Sequence, residues 1–253
     1  MSKAKKIVIT VIAVLLFLAA AAWFFVPRIM LYAAIKSLGE YPELPVTIIT
    51  EEQIVAVDYG ETQRIEEHGM SMEIPAHLVK RKSIDNLVRY IEPVEEDEKF
   101  KTSIGIIPPD DLQNLNIIKD GTFDTDTGLS VDTSRIRKGF EAMGGPLPDS
   151  GFNTYKRIYL LKDDDYSFWN FNQGAAYFVI SYMRSILPGF SRLEIFEMDD
   201  KCGFITYFSS SNMCIIDVYS KNDLNKIYSF SIRHKESESY LVYSVLSSIE
   251  IVD

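Results

Sequence analysis

Asp124, Asp126 and Asp132 stand at positions 1, 3 and 9 of the run Asp-Thr-Asp-Thr-Gly-Leu-Ser-Val-Asp. Carboxylates at that spacing are how a calcium loop gathers oxygen ligands. Position 5 is Gly128, and position 12 is Arg135 where a bidentate glutamate belongs. The three aspartates are therefore calcium candidates with an incomplete ligand set. The competing expectation is a Gly/Asp-rich turn in which Asp132 caps a helix. A second acidic run, Asp163-Asp164-Asp165, leads directly into Tyr166, Phe168, Trp169 and Phe171. Neighbouring carboxylates are suited to general acid–base work. A carboxylate beside aromatic rings also makes a wall for a cation or a sugar. On that reading Asp165, Tyr166 and Trp169 are the ligand-binding candidates. On the structural reading the acids form a solvated turn and the rings seat the next helix.

Other chemistries lack their residues. His68, His77 and His234 form no His-Glu-x-x-His motif and no helix-spaced metal pair, and His234, between Arg233 and Lys235, is expected to be solvated. No Gly-x-Ser-x-Gly elbow and no glycine-rich phosphate loop is present. The sequence nominates no catalytic residue and no cofactor.

The elements that must position these groups begin with an anchor. Lys3, Lys5 and Lys6 precede Ile7–Val26, twenty positions without a charge. At about 1.5 Å per residue this run spans about 30 Å, the thickness of a bilayer core. Residues 7–26 are read as an uncleaved membrane span whose partner is the lipid bilayer. The competitors are a signal peptide cut near Ala19–Ala22 and a buried core helix. The lysine bias places residues 1–6 in the cytoplasm and the remainder outside the cell membrane. Pro27 is expected to kink the helix or to begin a second short one ending near Gly39. Residues 27–50 thus read as a juxtamembrane helix and a linker merging into a strand.

Charge divides the same way. The whole chain carries −10, but beyond residue 26 there are 23 basic and 36 acidic residues, a net −13. An acidic domain of this kind is soluble and argues against nucleic acid as a partner. It leaves room for a protein partner of cationic character.

Residues 51–253 read as one extracytoplasmic α+β domain, a mainly antiparallel sheet flanked by helices, with a helical insert at about 108–187. Strands are expected at 70–74, 87–91 and 101–107, and a short helix opening at Pro108-Pro109-Asp110-Asp111. Helices follow at 134–143, from Asp149-Ser150 to about 162, and at 175–187. Four strands come next, 193–198, 204–208, 213–220 and 226–233, and then a helix carrying Leu241, Val242, Val245, Leu246 and Ile249. Turning at Ser209–Asn212 pairs Phe208 with Met213, Tyr207 with Cys214 and Ile205 with Ile216. The next turn pairs Cys214 with Ile232, Ile216 with Phe230 and Val218 with Tyr228. Both faces of that meander are apolar, so both need cover. In this register Cys202 and Cys214 lie on opposite faces, about 16 Å apart, too far for a bridge. Two free thiols are expected, one of them buried.

From about Gly69 onward the order of elements resembles a PsbP/Mog1-like domain. The resemblance is carried by Gly69-Met-Ser-Met-Glu-Ile-Pro75, the helix before the meander, Lys201-Cys-Gly-Phe-Ile-Thr206, and Val245-Leu-Ser-Ser-Ile249. The insert at 108–187 departs from a compact form of that fold. Such domains are mostly non-catalytic assembly or binding modules, so the resemblance implies a binding or accessory role and no active-site residues. The alternatives are an envelope hydrolase using Asp124, Asp126 or Asp163–Asp165, and an immunity-like protein that blocks a partner through its acidic surface.

Overall fold

Alternating and helical apolar patterns along the chain resolve into five α-helices and thirteen strands among the residues that the computed structural model describes. It describes residues 3–37, 45–55, 57–81, 87–93, 102–111, 122–124, 130–144, 147–160, 166–185, 191–208, 211–234 and 240–252. The first half contains α1 (Lys3–Ser37), β1 (Val46–Thr50), β2 (Thr62–Glu67), β3 (Met70–Pro75), β4 (Val79–Arg81), β5 (Val88–Ile91) and β6 (Ser103–Asp111). Next come β7 (Thr122–Asp124), β8 (Ser130–Asp132), α2 (Thr133–Ala142), α3 (Gly151–Leu160) and α4 (Phe171–Ser185). The last stretch holds β9 (Arg192–Glu197), β10 (Lys201–Phe208), β11 (Met213–Ser220), β12 (Asp223–Arg233), α5 (Tyr240–Ser248) and β13 (Glu250–Ile251). The chain is therefore of the α+β class, an apolar N-terminal helix followed by a mainly antiparallel sheet with helices.

Contacts divide it into two units. One comprises Met1–Tyr41, Ile117–Leu147 and Leu161–Ile186; the other comprises Pro42–Asn116, Pro148–Leu160 and Leu187–Asp253. The stretch 108–187 is thus shared: α3 goes with the sheet, whereas α2 and α4 go with α1.

In the sheet unit eight strands run in the order β1-β9-β10-β11-β12-β6-β5-β4, and β1 against β9 is its parallel pair. The meander has the register that its turns dictate, with Phe208 opposite Met213, Ile205 opposite Ile216, Cys214 opposite Ile232 and Val218 opposite Tyr228. One face buries Ile205, Ile216, Val218, Phe230 and Ile232 beneath Leu241, Val242, Val245 and Leu246 of α5 and Met70, Met72 and Ile74 of β3. The other face buries Leu193, Ile195, Phe204 and Tyr219 beneath Phe152 and Tyr159 of α3. Ser150 begins α3, its hydroxyl accepting from the Asn153 amide at 3.3 Å.

β3 pairs with β2 and β13 in a separate three-stranded sheet. Its hairpin turns at His68 (φ 51) and Gly69 (φ 81), the left-handed pair that a two-residue hairpin of type I′ needs.

Three expectations are corrected in this unit. β6 runs through Pro108 and Pro109 to Asp111, where a helix is predicted. Pairing jumps from Ser229–Ile107 to Ile227–Asp110, so the two prolines face Tyr228 alone, a bulge that tolerates their missing N–H groups. His234 is buried, not solvated, and its amide donates to the Asn212 carbonyl at 3.1 Å. Both cysteines are free and both are buried, one beneath each cover. Burial pushes each thiol up to about 12. One buried thiol is expected from the sequence; the second follows from the cover of both faces, Cys202 lying beneath α3 and Cys214 beneath α5.

In the other unit α1 is one continuous helix with Pro27 inside it. Its apolar stretch, Ile9–Ser37, is 29 residues long, enough by length and composition to cross a membrane. Pro27 neither ends nor restarts the helix. It removes one backbone donor, and Arg28 Nη1 folds back to donate to the Phe24 carbonyl at 2.6 Å. Beyond Pro27, Leu31 is buried, so packing sustains the last turns. α2 lies against α4, and β7 pairs with β8 as a hairpin where a bare turn is expected.

Candidate functional site

The aromatic loop named by the sequence packs against α1 and α4. Asn170 precedes α4, and its Oδ1 accepts from the Gln173 amide at 3.2 Å. Gln173 Oε1 accepts in turn from the Ser167 amide at 3.2 Å. The first bond caps α4 and the second ties the loop to its first turn. Phe168 meets Tyr32 edge-on at 6.0 Å, and Trp169 meets Phe25 edge-on at 6.3 Å. Gly174 lets α1 come close, because a Cβ there would sit 3.0 Å from Leu31 Cδ2 and 3.2 Å from Tyr166 Cε2.

Beside the loop a cavity of about 1320 Å³ opens along the outer turns of α1. Its walls are Trp23, Val26 and Met30 of α1, Arg135 of α2, and Trp169 and Phe171. Two guanidiniums border the Phe171 ring. The Arg135 guanidinium carbon is 5.1 Å from its centroid and that of Arg28 is 5.9 Å away. Arg28 also lies 3.6 Å over the Phe24 ring, and its Nε is buried without a hydrogen-bond partner. Neither arginine has a carboxylate partner among the described residues. The site thus offers an apolar wall with two cationic forks, which suits an anion attached to something greasy.

The sequence candidates separate here. Trp169 lines the cavity and is 67% exposed. Tyr166 instead stacks on Tyr177 at 5.2 Å, half-buried. Burial, and secondarily Tyr32, raises its phenol pKa, and its ring packs on α4 at Gly174 and Tyr177. Asp165, like Asp163 and Asp164, lies outside the described residues. Of the calcium candidates, Asp124 sits in β7 and pairs with Ser130, and Asp132 ends β8 directly before α2, where a cap belongs. Asp126 lies outside the described residues. Sequence reasoning missed Arg28 and Arg135 as site residues and named Phe171 only within the aromatic run. Arg135 registers there only as the wrong residue for calcium, although a charge directly after Pro27 in an apolar helix is a usable signal.

The sheet unit contains a different polar group. Asp217 of β11 lies on the α3 side and accepts from the Ser229 hydroxyl at 2.6 Å. Burial pushes its carboxyl from 3.8 up to about 6, against the opposing pull of Ser229. The Tyr219 hydroxyl beside it is buried without a partner, and burial followed by the Asp217 charge raises its pKa. A carboxyl with a raised folded-state pKa binds more protons folded than unfolded, so stability is greatest below pH 3.8 for this group and falls as pH rises through about 6. Asp217→Asn should therefore stabilise the chain at pH 7.5 by at most about 3 kcal/mol, the two-unit shift converted at about 1.4 kcal/mol each. Urea denaturation checks it, and the gain should vanish near pH 4. A gain of equal size at both pH values would contradict the assignment.

Fold and site together define an α+β protein whose apolar N-terminal helix carries an aromatic, arginine-flanked cavity. Comparison with known proteins returns no matching family model and no curated sequence of significant similarity.

Proposed function

We propose that the chain is a single-pass, membrane-tethered binding or accessory protein of a bacterial envelope, with residues 1–6 cytoplasmic and the sheet unit outside. The observation that carries this reading is the character of α1 beyond residue 22. Trp23 is 86% exposed, Ile29 55% and Met30 63%, so an exposed apolar surface continues past any cut at Ala19–Ala22. A cleaved product would present that surface to water, whereas a retained anchor leaves it in lipid and at the interface. The cavity supports binding over proton transfer, because its described lining holds two arginines, aromatics, aliphatics and the neutral Ser167, Asn170 and Asn172, with no carboxylate or imidazole. The PsbP/Mog1-like resemblance of the later residues points to the same kind of role.

The test is topology together with mass. Chain extracted from membranes should keep the full 28.9 kDa, and protease added to spheroplasts should digest a C-terminal tag. A mature N-terminus at Trp23, or a tag protected in spheroplasts and digested in inverted vesicles, would refute the reading.

A further inference from the structure

We propose that the cavity beside α1 binds one anionic phospholipid of the surrounding membrane, its phosphate taken by Arg28 and Arg135 and its acyl chains by the wall at Trp23 and Val26. This rests on reading α1 as a retained span.

The cavity has the polarity of a lipid standing in a bilayer. Ala22, Trp23 and Val26 belong to the stretch read as membrane span and line the cavity on the span side of Arg28, and Met30 and Leu31 line it beyond Arg28. Arg28 lies five residues beyond Trp23, about 8 Å nearer the water at the rise of an α-helix. Passing along α1 from the apolar Ala22–Val26 stretch to the charge of Arg28 follows the order of acyl chain and headgroup. A soluble anion would have no use for the apolar part. The volume, about 1320 Å³, is larger than a small-molecule pocket requires and leaves room for a headgroup with the upper part of its chains.

The charge argument selects an anionic head over a neutral one. A guanidinium held against hydrocarbon without a counter-charge is strongly disfavoured. Among the described residues Arg28 is in that position. Its Nη1 is turned back to a backbone carbonyl, its Nε is buried without an acceptor, and no described carboxylate approaches. Arg135 borders the same Phe171 ring from α2 with no described acidic partner. A phosphodiester oxygen between the two forks would supply the missing acceptor in the geometry guanidinium favours. The anion cannot be recruited by the protein's overall field, because the chain beyond residue 26 is at −13 and repels an anionic bilayer surface. Any preference for anionic lipid must therefore arise locally.

The chain has two tryptophans, Trp23 and Trp169, so Trp23→Phe leaves Trp169 in the cavity wall as the sole reporter. The full-length Trp23→Phe chain is placed in phosphatidylcholine nanodiscs doped with lipid brominated on its acyl chains, either phosphatidylglycerol or phosphatidylcholine. Brominated phosphatidylglycerol should quench Trp169 at about tenfold lower mole fraction, the equivalent of one charge-assisted hydrogen bond. Arg28→Gln with Arg135→Gln should erase that difference, and the paired lysine variant, which keeps the charges, should retain part of it. Should the glutamine pair fail to fold, the lysine pair still decides: an undiminished preference overturns the phosphate contact. Equal quenching by the two lipids overturns the site and leaves only general lipid contact. Competition by millimolar glycerol phosphate overturns the membrane lipid as its source. Failure of the chain to enter nanodiscs refutes the membrane tether itself, a result distinct from the others.

Discussion

Gly203→Ala is expected to prevent the sheet unit from folding. Gly203 lies in β10 between Phe196 of β9 and Val218 of β11. A Cβ on it would fall 1.8 Å from the Asp217 carbonyl oxygen and 2.7 Å from Phe196 Cζ. The carbonyl belongs to the central β11 backbone and cannot retreat without opening its ladder. The Phe196 ring is fully buried and has nowhere to swing. Overpacking a close-packed interior costs about 1–3 kcal/mol even where side chains can give way, and here a backbone atom must move. The loss should be at the top of that range or beyond, a large share of the roughly 5–15 kcal/mol that holds a domain together. The expected result is loss of soluble folded protein, or a denaturation midpoint lowered by 10 °C or more, about 3 kcal/mol at the usual scaling. Gly144→Ala is the control. Its φ of +83 strains any side chain, but nothing lies within 4 Å, so it should cost only about 1 kcal/mol. A Gly203→Ala variant as stable as that control would show that β10 and β11 are not packed as described.

The meander containing Gly203 was legible because each constraint was local. Alternation in β10, β11 and β12 left a single register in which the apolar sets matched across Ser209–Asn212, and a slip of one residue would have exposed both. Other strands carry no such signal. Thr62–Glu67 reads Thr-Gln-Arg-Ile-Glu-Glu with only Ile65 buried, and Glu250–Ile251 is two residues long, so β2 and β13 exist through tertiary pairing with β3. Pro108-Pro109 has the local preference of a helix start, and a bulge overrides it. For the cavity the limit is of another kind. Trp169 announces itself within an aromatic run, but Arg28 and Arg135 lie far apart in the chain and border the same Phe171 ring only because α1 and α2 share a unit with α4. No spacing rule connects them. Lys201 belongs to the same class: its ammonium is buried and donates to the Ile249 carbonyl at 2.8 Å, where α5 ends, a role set by the fold.

Glu194→Ala is expected to detach α5 from the sheet. Glu194 is 4% exposed, yet it faces the α5 side of β9 as a carboxylate. The Tyr207 hydroxyl from β10 donates to its Oε2 at 2.9 Å and the Tyr243 hydroxyl from α5 at 2.8 Å. Arg192 Nε stands 3.3 Å from Oε1, and the same guanidinium covers the Tyr207 ring at 4.0 Å. Burial, then the hydrogen bond to Glu194, pushes the Tyr243 phenol up to about 12, so it remains a donor at any ordinary pH. Removing the carboxylate leaves two half-buried hydroxyls and a guanidinium without their acceptor. Breaking one partner of a buried ionic group costs about 3–5 kcal/mol, whereas Glu194→Gln, which keeps an acceptor in place, should cost about half that. Tyr243→Phe alone should cost about 1 kcal/mol, and combining it with Glu194→Ala should cost less than the two singles together, because the second change removes a hydroxyl already orphaned. Urea denaturation of the four proteins measures the coupling. A coupling near zero would show that Tyr243 does not depend on Glu194, and α5 would then be held by Leu241, Val242, Val245 and Leu246 alone. A coupling of about 1 kcal/mol or more would identify this carboxylate as the polar pin of an otherwise apolar helix–sheet interface.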